Sequence, residues 1–314
     1  MGTDVVYLTG ASGFIGANLQ RLLPDLGVQR IVTVARSGAA LDYEAFVQAT
    51  LEPGSAVVHL AGKAHDLRGE DGAEQYETAN VALTERVYET FRTSAAEVFV
   101  FVSSVKAVAD SVDGVLQHDA QPHPSTLYGR SKLRAERHLA DHQPRPHQRV
   151  HVLRLCLVHG PGVKGNLALL DRLVAAGLPY PLGTFENRRS ILSVDNLAYV
   201  VSCAFDGRLP PGTYNVADDE PLSTPEMVRI LAHAHGRRAN ILRLPPGLIQ
   251  ALAKIGDRLP VHIGSDQLSK LTESYVVDTA PLLHVLGVDH LPLPARAGFS
   301  KLARADTTPR AHGS

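Results

Sequence analysis

The chain has 314 residues, 44% hydrophobic and 20% charged, an ordinary soluble composition with room for one large or two modest domains. Its formal net charge of -1 leaves no basic face for nucleic acid. No apolar run reaches the ~18 residues of a spanning helix, and the first glycine loop comes too early for a signal segment, so a cytoplasmic protein is expected.

The first element is the strand Val5–Thr9, uncharged and rich in β-branched residues. Gly10, Gly13 and Gly16 follow, and then Ile15, Leu19, Leu22 and Leu23 at helical spacing. Strand, glycine turn and helix in that order suit a nucleotide pyrophosphate. Glycine lets the backbone approach the phosphates, and the helix N-terminus offers free N–H groups and the positive end of its dipole. The second strand, Arg30–Ala35, ends at Arg36-Ser37. An acidic residue there would bond the ribose hydroxyls of NAD; a cation and a hydroxyl suit the extra phosphate of NADP. The alternative for Arg36 is a solvated loop arginine.

The third strand, Ala56–Leu60, leads into Ala61-Gly62-Lys63, small residues at the carboxyl edge where ligands of open α/β sheets bind. His59 within it reads as a satisfied core histidine. Gly72–Thr93 has the period of one long helix, with Asn80 on its apolar stripe, either a buried hydrogen-bonding group or an edge of the core. The fourth strand, Val98–Val102, ends at Ser103-Ser104, hydroxyls facing the ligand crevice. Tyr128 and Lys132 then share a face of a helix, four residues apart. A nearby lysine lowers the phenol pKa from about 10, so that the tyrosine can exchange a proton while a serine hydroxyl holds a carbonyl oxygen. A buried tyrosine and a solvated lysine would be the bland alternative.

A fifth strand, Val150–Leu155, leads into the Gly/Pro-rich loop Val158–Asn166, where the chain should leave the nucleotide domain. Helices are expected at Leu167–Ala176, Thr224–His235, Gly247–Leu259 and Ala280–Leu286. Arg188 and Arg189 beside the short apolar strand Ile191–Ser193 can clamp a phosphate. Cys156 and Cys203 read as two buried free thiols, and Ala303–Ser314 as a frayed tail. No metal is expected.

GASGFIG at Gly10–Gly16, HLAG at His59–Gly62, Ser103-Ser104, YGRSK at Tyr128–Lys132 and RRSILSVDN at Arg188–Asn196 resemble the extended short-chain dehydrogenase/reductases. These are NAD(P)-dependent epimerases, dehydratases and reductases of nucleotide sugars, and the likeness spans about residues 3–290. It implies an α/β fold: a Rossmann doubly wound parallel sheet of about seven strands with a smaller C-terminal substrate domain. The corresponding division is 1–160, with part of 185–220, for the nucleotide; 161–185 and 220–302 for the substrate; and 303–314 for the tail.

By the same resemblance, Gly10, Ser12, Gly13, Phe14, Ile15, Gly16, Arg36, Leu60, Ala61, Gly62 and Asn80 would contact NADP, preferred here, or NAD. Tyr128 would be the acid/base, Lys132 would bind the nicotinamide ribose and lower the tyrosine pKa, and Ser104 would hold the C4 oxygen. Asn166 and Arg189 would meet the nucleotide and diphosphate of the substrate, with Lys106 as a further substrate contact. Dehydratases carry Asp-Glu where this chain has Val105-Lys106, which argues against dehydration.

The likeness is greatest to bacterial proteins that reduce UDP-linked 4-keto-6-deoxy-N-acetylhexosamines at C4 for surface polysaccharide. The alternatives are a UDP-hexose or UDP-N-acetylhexosamine 4-epimerase with tightly held NAD, and a non-catalytic NADP-binding regulator. Relatives dimerise through helices matching Gly72–Thr93 and Ser125–His142. Outward charge at Arg130, Arg134, Glu136 and Arg137 weakens the case for a homodimer here.

Overall fold

Six runs of the chain assemble into one parallel sheet in the order β2-β1-β3-β4-β5-β6: β1 Val5–Thr9, β2 Arg30–Val34, β3 Ala56–His59, β4 Val98–Ser104, β5 Arg149–Leu155 and β6 Gly212–Val216. This computed structural model describes residues 3–63, 72–256 and 265–305. The sheet has six strands rather than about seven. The stretch after β2, which would supply another edge strand, holds the short helix Tyr43–Gln48 instead.

Alternation along the strands sends side chains to two cores, because neighbouring strand residues point to opposite faces. On one face Val6, Leu8, Val58, Val100 and Leu153 pack against Leu19 and Leu23 from helix α1 (Phe14–Leu22) and its end. On the other, Tyr7, Val57, Phe99, Phe101 and Val152 meet Val87 and Phe91 of α2 (Leu83–Thr93) and Ala135 and Leu139 of α3 (Leu127–Asp141). Each fully buried aliphatic or aromatic side chain contributes about 1.5–3 kcal/mol of transfer free energy. Helices on both faces explain why the strands read as continuous apolar runs.

The expected long helix over 72–93 is helical but not uniform. Ala73–Tyr76 is α-helical, Glu77–Ala82 widens into a π-helical turn, and α2 continues from Leu83. The widened turn carries Asn80, fully buried and hydrogen-bonded, which settles its alternatives in favour of a buried polar group.

A third core gathers Leu167 and Val174 from α4 (Asn166–Ala175), Val228 and Leu231 from α6 (Thr224–Ala234), and Phe299 and Leu302 from α7 (Ala295–Ala305). Helix α5 (Val194–Phe205) lies under the sheet and is buried on nearly every side. The sequence reading omitted α5, α7 and β6. The tail is correspondingly shorter than expected: Ala303 is buried on α7, and 306–314 lie outside the described residues. The helix expected over Gly247–Leu259 runs Pro246–Gly256, its last expected residues also lying outside. Cys156 and Cys203 are both free thiols. No described helix is long and apolar enough to cross a membrane.

Candidate active site

From central β1 the chain passes first to β2 on one side and later to β3 on the other, so a crevice opens at their carboxyl ends. Gly10 sits at its mouth with a φ of +68°, its N–H donating to Val34 O at 3.2 Å. A Cβ there would lie 2.8 Å from the Ala61 nitrogen, so only glycine brings the turn after β1 against the Leu60–Ala61 backbone. Ser12 and Gly13 are exposed, Phe14 and Ile15 half-buried, and Gly16 buried in the first turn of α1. Gly13 caps α1 with no side-chain bond to its opening N–H groups. A shallow cradle lined by backbone at a helix start, without a side chain across it, fits a dinucleotide diphosphate. Arg36 is exposed at the end of β2. Its charge reaches the half-buried Tyr43, whose phenol bonds the Gly10 backbone and is held above its ordinary value chiefly by burial.

Beyond Gly10 a chain of hydrogen bonds runs under the crevice. Thr9 Oγ1 meets His59 Nδ1 at 2.7 Å, and His59 Nε2 meets Thr84 Oγ1 at 3.0 Å. The Thr84 hydroxyl donates to Asn80 O at 2.7 Å, so it accepts from His59, and the imidazole proton belongs on Nε2. Thr9 then gives its hydroxyl proton to His59 and accepts from the Ala61 N–H at 3.2 Å. His59 is the satisfied core histidine expected, with a pKa pushed down to about 3 by burial and by the Lys132 cation. Asn80 donates to Ser131 Oγ at 2.8 Å, and a Cβ on Gly62 would lie 2.7 Å from its Oδ1.

Three residues of α3 face the end of β4. Tyr128 lies in the first turn, with its phenol toward the Ser104 hydroxyl and its ring 6.5 Å from that of Tyr76. Burial raises the phenol pKa, and the Ser104 bond offsets part of the rise. The expected lowering by Lys132 is therefore not what the geometry gives. The buried ammonium requires an acceptor, and takes the Val102 carbonyl at 2.9 Å with the Phe101 ring 4.8 Å away. Burial pulls the lysine down to about 8, while Glu136 holds it up. Glu136 is itself a correction: it is buried, not part of an outward charged face. Ser103 bonds Glu136, whereas Ser104 caps the turn Val105–Ala107 by accepting from Lys106 N at 3.2 Å.

The remaining expected residues sit on the turn after β4, at the start of α4 and just before the strand Ile191–Ser193. Lys106 has an exposed side chain, and its carbonyl packs so closely on the first turn of α3 that a Cβ on Gly129 would lie 2.4 Å away. Asn166 is exposed at the start of α4. Arg188 is exposed while Arg189 is half-buried, bridging Leu222 and Tyr275 through its backbone, so the two arginines are not one clamp. Tyr275, which the sequence did not single out, links the regions: its phenol donates to Ala109 O at 2.6 Å in the loop after Ser104. A lone tyrosine between polar residues carries no pattern that would have found it.

Comparison with known proteins decides the lineage. The model of the NAD dependent epimerase/dehydratase family matches residues 6–217. The chain belongs to this family. A UDP-glucose 4-epimerase of Vibrio cholerae is 30% identical over 321 residues, covering 96% of this chain and 94% of its own. A UDP-2-acetamido-2,6-beta-L-arabino-hexul-4-ose reductase of Pseudomonas aeruginosa is 22% identical over 255 residues, covering 79% and 62%. A human epimerase family protein solved with NADPH superposes with a TM-score of 0.76 at 20% identity, over 96% of this chain and 99% of its own. Other family-like folds at a TM-score of 0.72 are complexes with NAD, so structural neighbours carry either dinucleotide.

Proposed function

We propose that the protein reduces the C4 ketone of a nucleotide-linked sugar with NADPH or NADH, the substrate being a UDP-linked 4-keto-6-deoxy-N-acetylhexosamine destined for surface polysaccharide. The observation that carries this reading is geometric: Ser104 at the end of β4 and Tyr128 in the first turn of α3 come together at the carboxyl edge of the sheet, and the phenol, its pKa raised by burial, holds the proton that an alkoxide developing at C4 would take.

Gly10, Ser12, Gly13, Phe14, Ile15 and Gly16 would hold the diphosphate, Arg36 a 2′-phosphate, and Leu60, Ala61, Gly62, Asn80, Tyr128 and Lys132 the nicotinamide half. The bound dinucleotide supplies the hydride. Ser104 then orients the carbonyl oxygen of the substrate, and Tyr128 gives its phenolic proton to that oxygen as negative charge develops. The Lys132 ammonium, buried one helical turn from Tyr128, would hold the nicotinamide ribose. Arg189 and Asn166 would bind the nucleotide diphosphate end, and Lys106 the sugar. Val105 and Lys106 leave no carboxylate for elimination, which supports a reductase over a dehydratase.

A second reading, a UDP-sugar 4-epimerase with tightly bound NAD, is favoured by the relative from Vibrio cholerae. Both are tested by identifying the nucleotide released from purified, denatured protein and then assaying NADPH with UDP-4-keto sugars. An empty protein that oxidises NADPH only with the keto sugar supports the reductase. Stoichiometric NAD, with interconversion of UDP-hexoses, overturns it for the epimerase.

A further inference from the structure

Three successive residues of β4 meet three residues of α3 spaced four apart. The Val102 carbonyl accepts from Lys132, the Ser103 hydroxyl donates to Glu136, and the Ser104 hydroxyl faces Tyr128. Two of these contacts belong to the proposed chemistry. The middle one does not, yet it is the most heavily built. Glu136 is 8% exposed, and Arg154 of β5 grips it with a fork: Nε lies 3.1 Å from each carboxylate oxygen and Nη2 2.7 Å from Oε2. Arg154 is also the register partner of Ser103 across β4 and β5. One carboxylate thus ties two strands and a helix together, one residue from Ser104 and one helical turn from Lys132.

We propose that Glu136, clamped by Ser103 and Arg154, is a positioning residue for the reaction: it keeps the Lys132 ammonium charged and fixes the strand end that presents Ser104. The proposal rests on the C4 redox reading for its catalytic meaning, but not for its electrostatics. A buried ion pair that only held the fold could give way to apolar side chains without loss. This one has a third member to serve. Residues four apart on a helix are neighbours, and both Lys132 and Glu136 are buried on the same face.

Among the described residues, the other groups around Lys132 offer no compensating charge. His59 of β3 is neutral, its proton fixed by Thr9 and Thr84. The Tyr128 phenol on its own helix is protonated, Asn80 supplies an amide, and β4 supplies the Val102 carbonyl and the Phe101 ring. Arg154 approaches from β5 but is forked onto the carboxylate. Burial alone drives the lysine toward its neutral form, and the Glu136 carboxylate is the charge that opposes it.

The test is Glu136→Gln, which keeps the shape and one acceptor oxygen while removing the charge. The titration of Lys132 is followed by NMR of 13C-labelled lysine in the full chain, with turnover of a UDP-4-keto sugar measured in parallel against pH. The Lys132 midpoint is expected to fall by about one pH unit, and the alkaline limb of kcat to move with it, while KM for NADPH stays within about twofold. A midpoint unmoved in the folded variant overturns the proposal, whatever the turnover. A midpoint that moves supports it even where neither protein turns over a keto sugar, a result that would instead sink the C4 reading.

Should Glu136→Gln fail to fold, Glu136→Asp gives the same titration with the charge drawn back, and a smaller fall is expected. Ser103→Ala examines the strand end by itself. It should lower kcat several-fold and leave the Lys132 midpoint in place; an unchanged kcat would remove that half of the proposal.

Discussion

The Asn80 side chain pairs with the backbone of Lys63 as a neighbouring strand would: Oδ1 accepts from Lys63 N at 2.6 Å, and Nδ2 donates to Lys63 O at 3.0 Å. The segment after β3 has no partner strand at that point, and the π-helical turn brings the amide to it. Asn80→Ala strips both bonds from buried or half-buried groups. It should cost about 1–3 kcal/mol in urea unfolding, and weaken NADPH binding measured by fluorescence titration, because Gly62 lies against the same amide.

Tyr128→Phe removes the proton donor and little else. Turnover of a UDP-4-keto sugar should fall by at least ~10²-fold. NADPH binding and the thermal midpoint should stay near wild type, since the lost hydroxyl has Ser104 as its bonding partner and Ser104 keeps its bond from Lys106 N. Turnover within a few-fold of wild type would remove the acid/base assignment.

On the proposed reading, Arg36 is the residue that selects the cofactor. It is exposed at the end of β2, so exchanging it should not disturb packing. Arg36→Asp should raise Kd for NADPH by about tenfold or more and improve NADH relative to it, because the carboxylate repels a 2′-phosphate and accepts from ribose hydroxyls. An unchanged NADPH to NADH ratio in steady-state kinetics would show that the phosphate is held elsewhere.

Acid should destabilise the fold through two buried histidines. His59 is held down to about 3 by burial and Lys132, and His151 to about 4 by burial and Arg149. Both are neutral in the folded chain, while the unfolded chain takes up their protons near pH 6.5. The unfolded state therefore binds more protons between about pH 6.5 and 4, and stability is lost as pH falls through that window, by up to about 1.4 kcal/mol per pH unit for each histidine. Urea midpoints measured from pH 7.5 to 4.5 should drop steeply below 6.5. A flat profile would mean that the rings are solvated.

The nucleotide half was legible because its signals are local. Gly10 is read from one turn and its flanks, and Tyr128 and Lys132 from a four-residue spacing that any helix turns into a shared face. His59 was placed in the core by the apolar run around it. The other half was less legible for the opposite reason. Helix α5 was passed over although it is apolar over most of its length, and the end of α7, from Ala303, was taken into the expected tail because its buried face is seen only against α4 and α6. Arg188 and Arg189 look equivalent in the sequence, yet pairing with the Leu222 and Tyr275 segments buries one and exposes the other.

The sequence by itself determined the class of fold, the glycine cradle and the serine, tyrosine and lysine at its edge, because strand and helix periods act over a few residues. Only the tertiary structure decided the charges. Glu136 looked like one more surface acid on α3 until Arg154, eighteen positions further along, folded beside it in register with Ser103. The same packing turned Lys132 onto the Val102 carbonyl instead of leaving it to lower the Tyr128 pKa. Burial is set by distant elements meeting, and burial governs whether a carboxylate, an ammonium or a phenol keeps its proton.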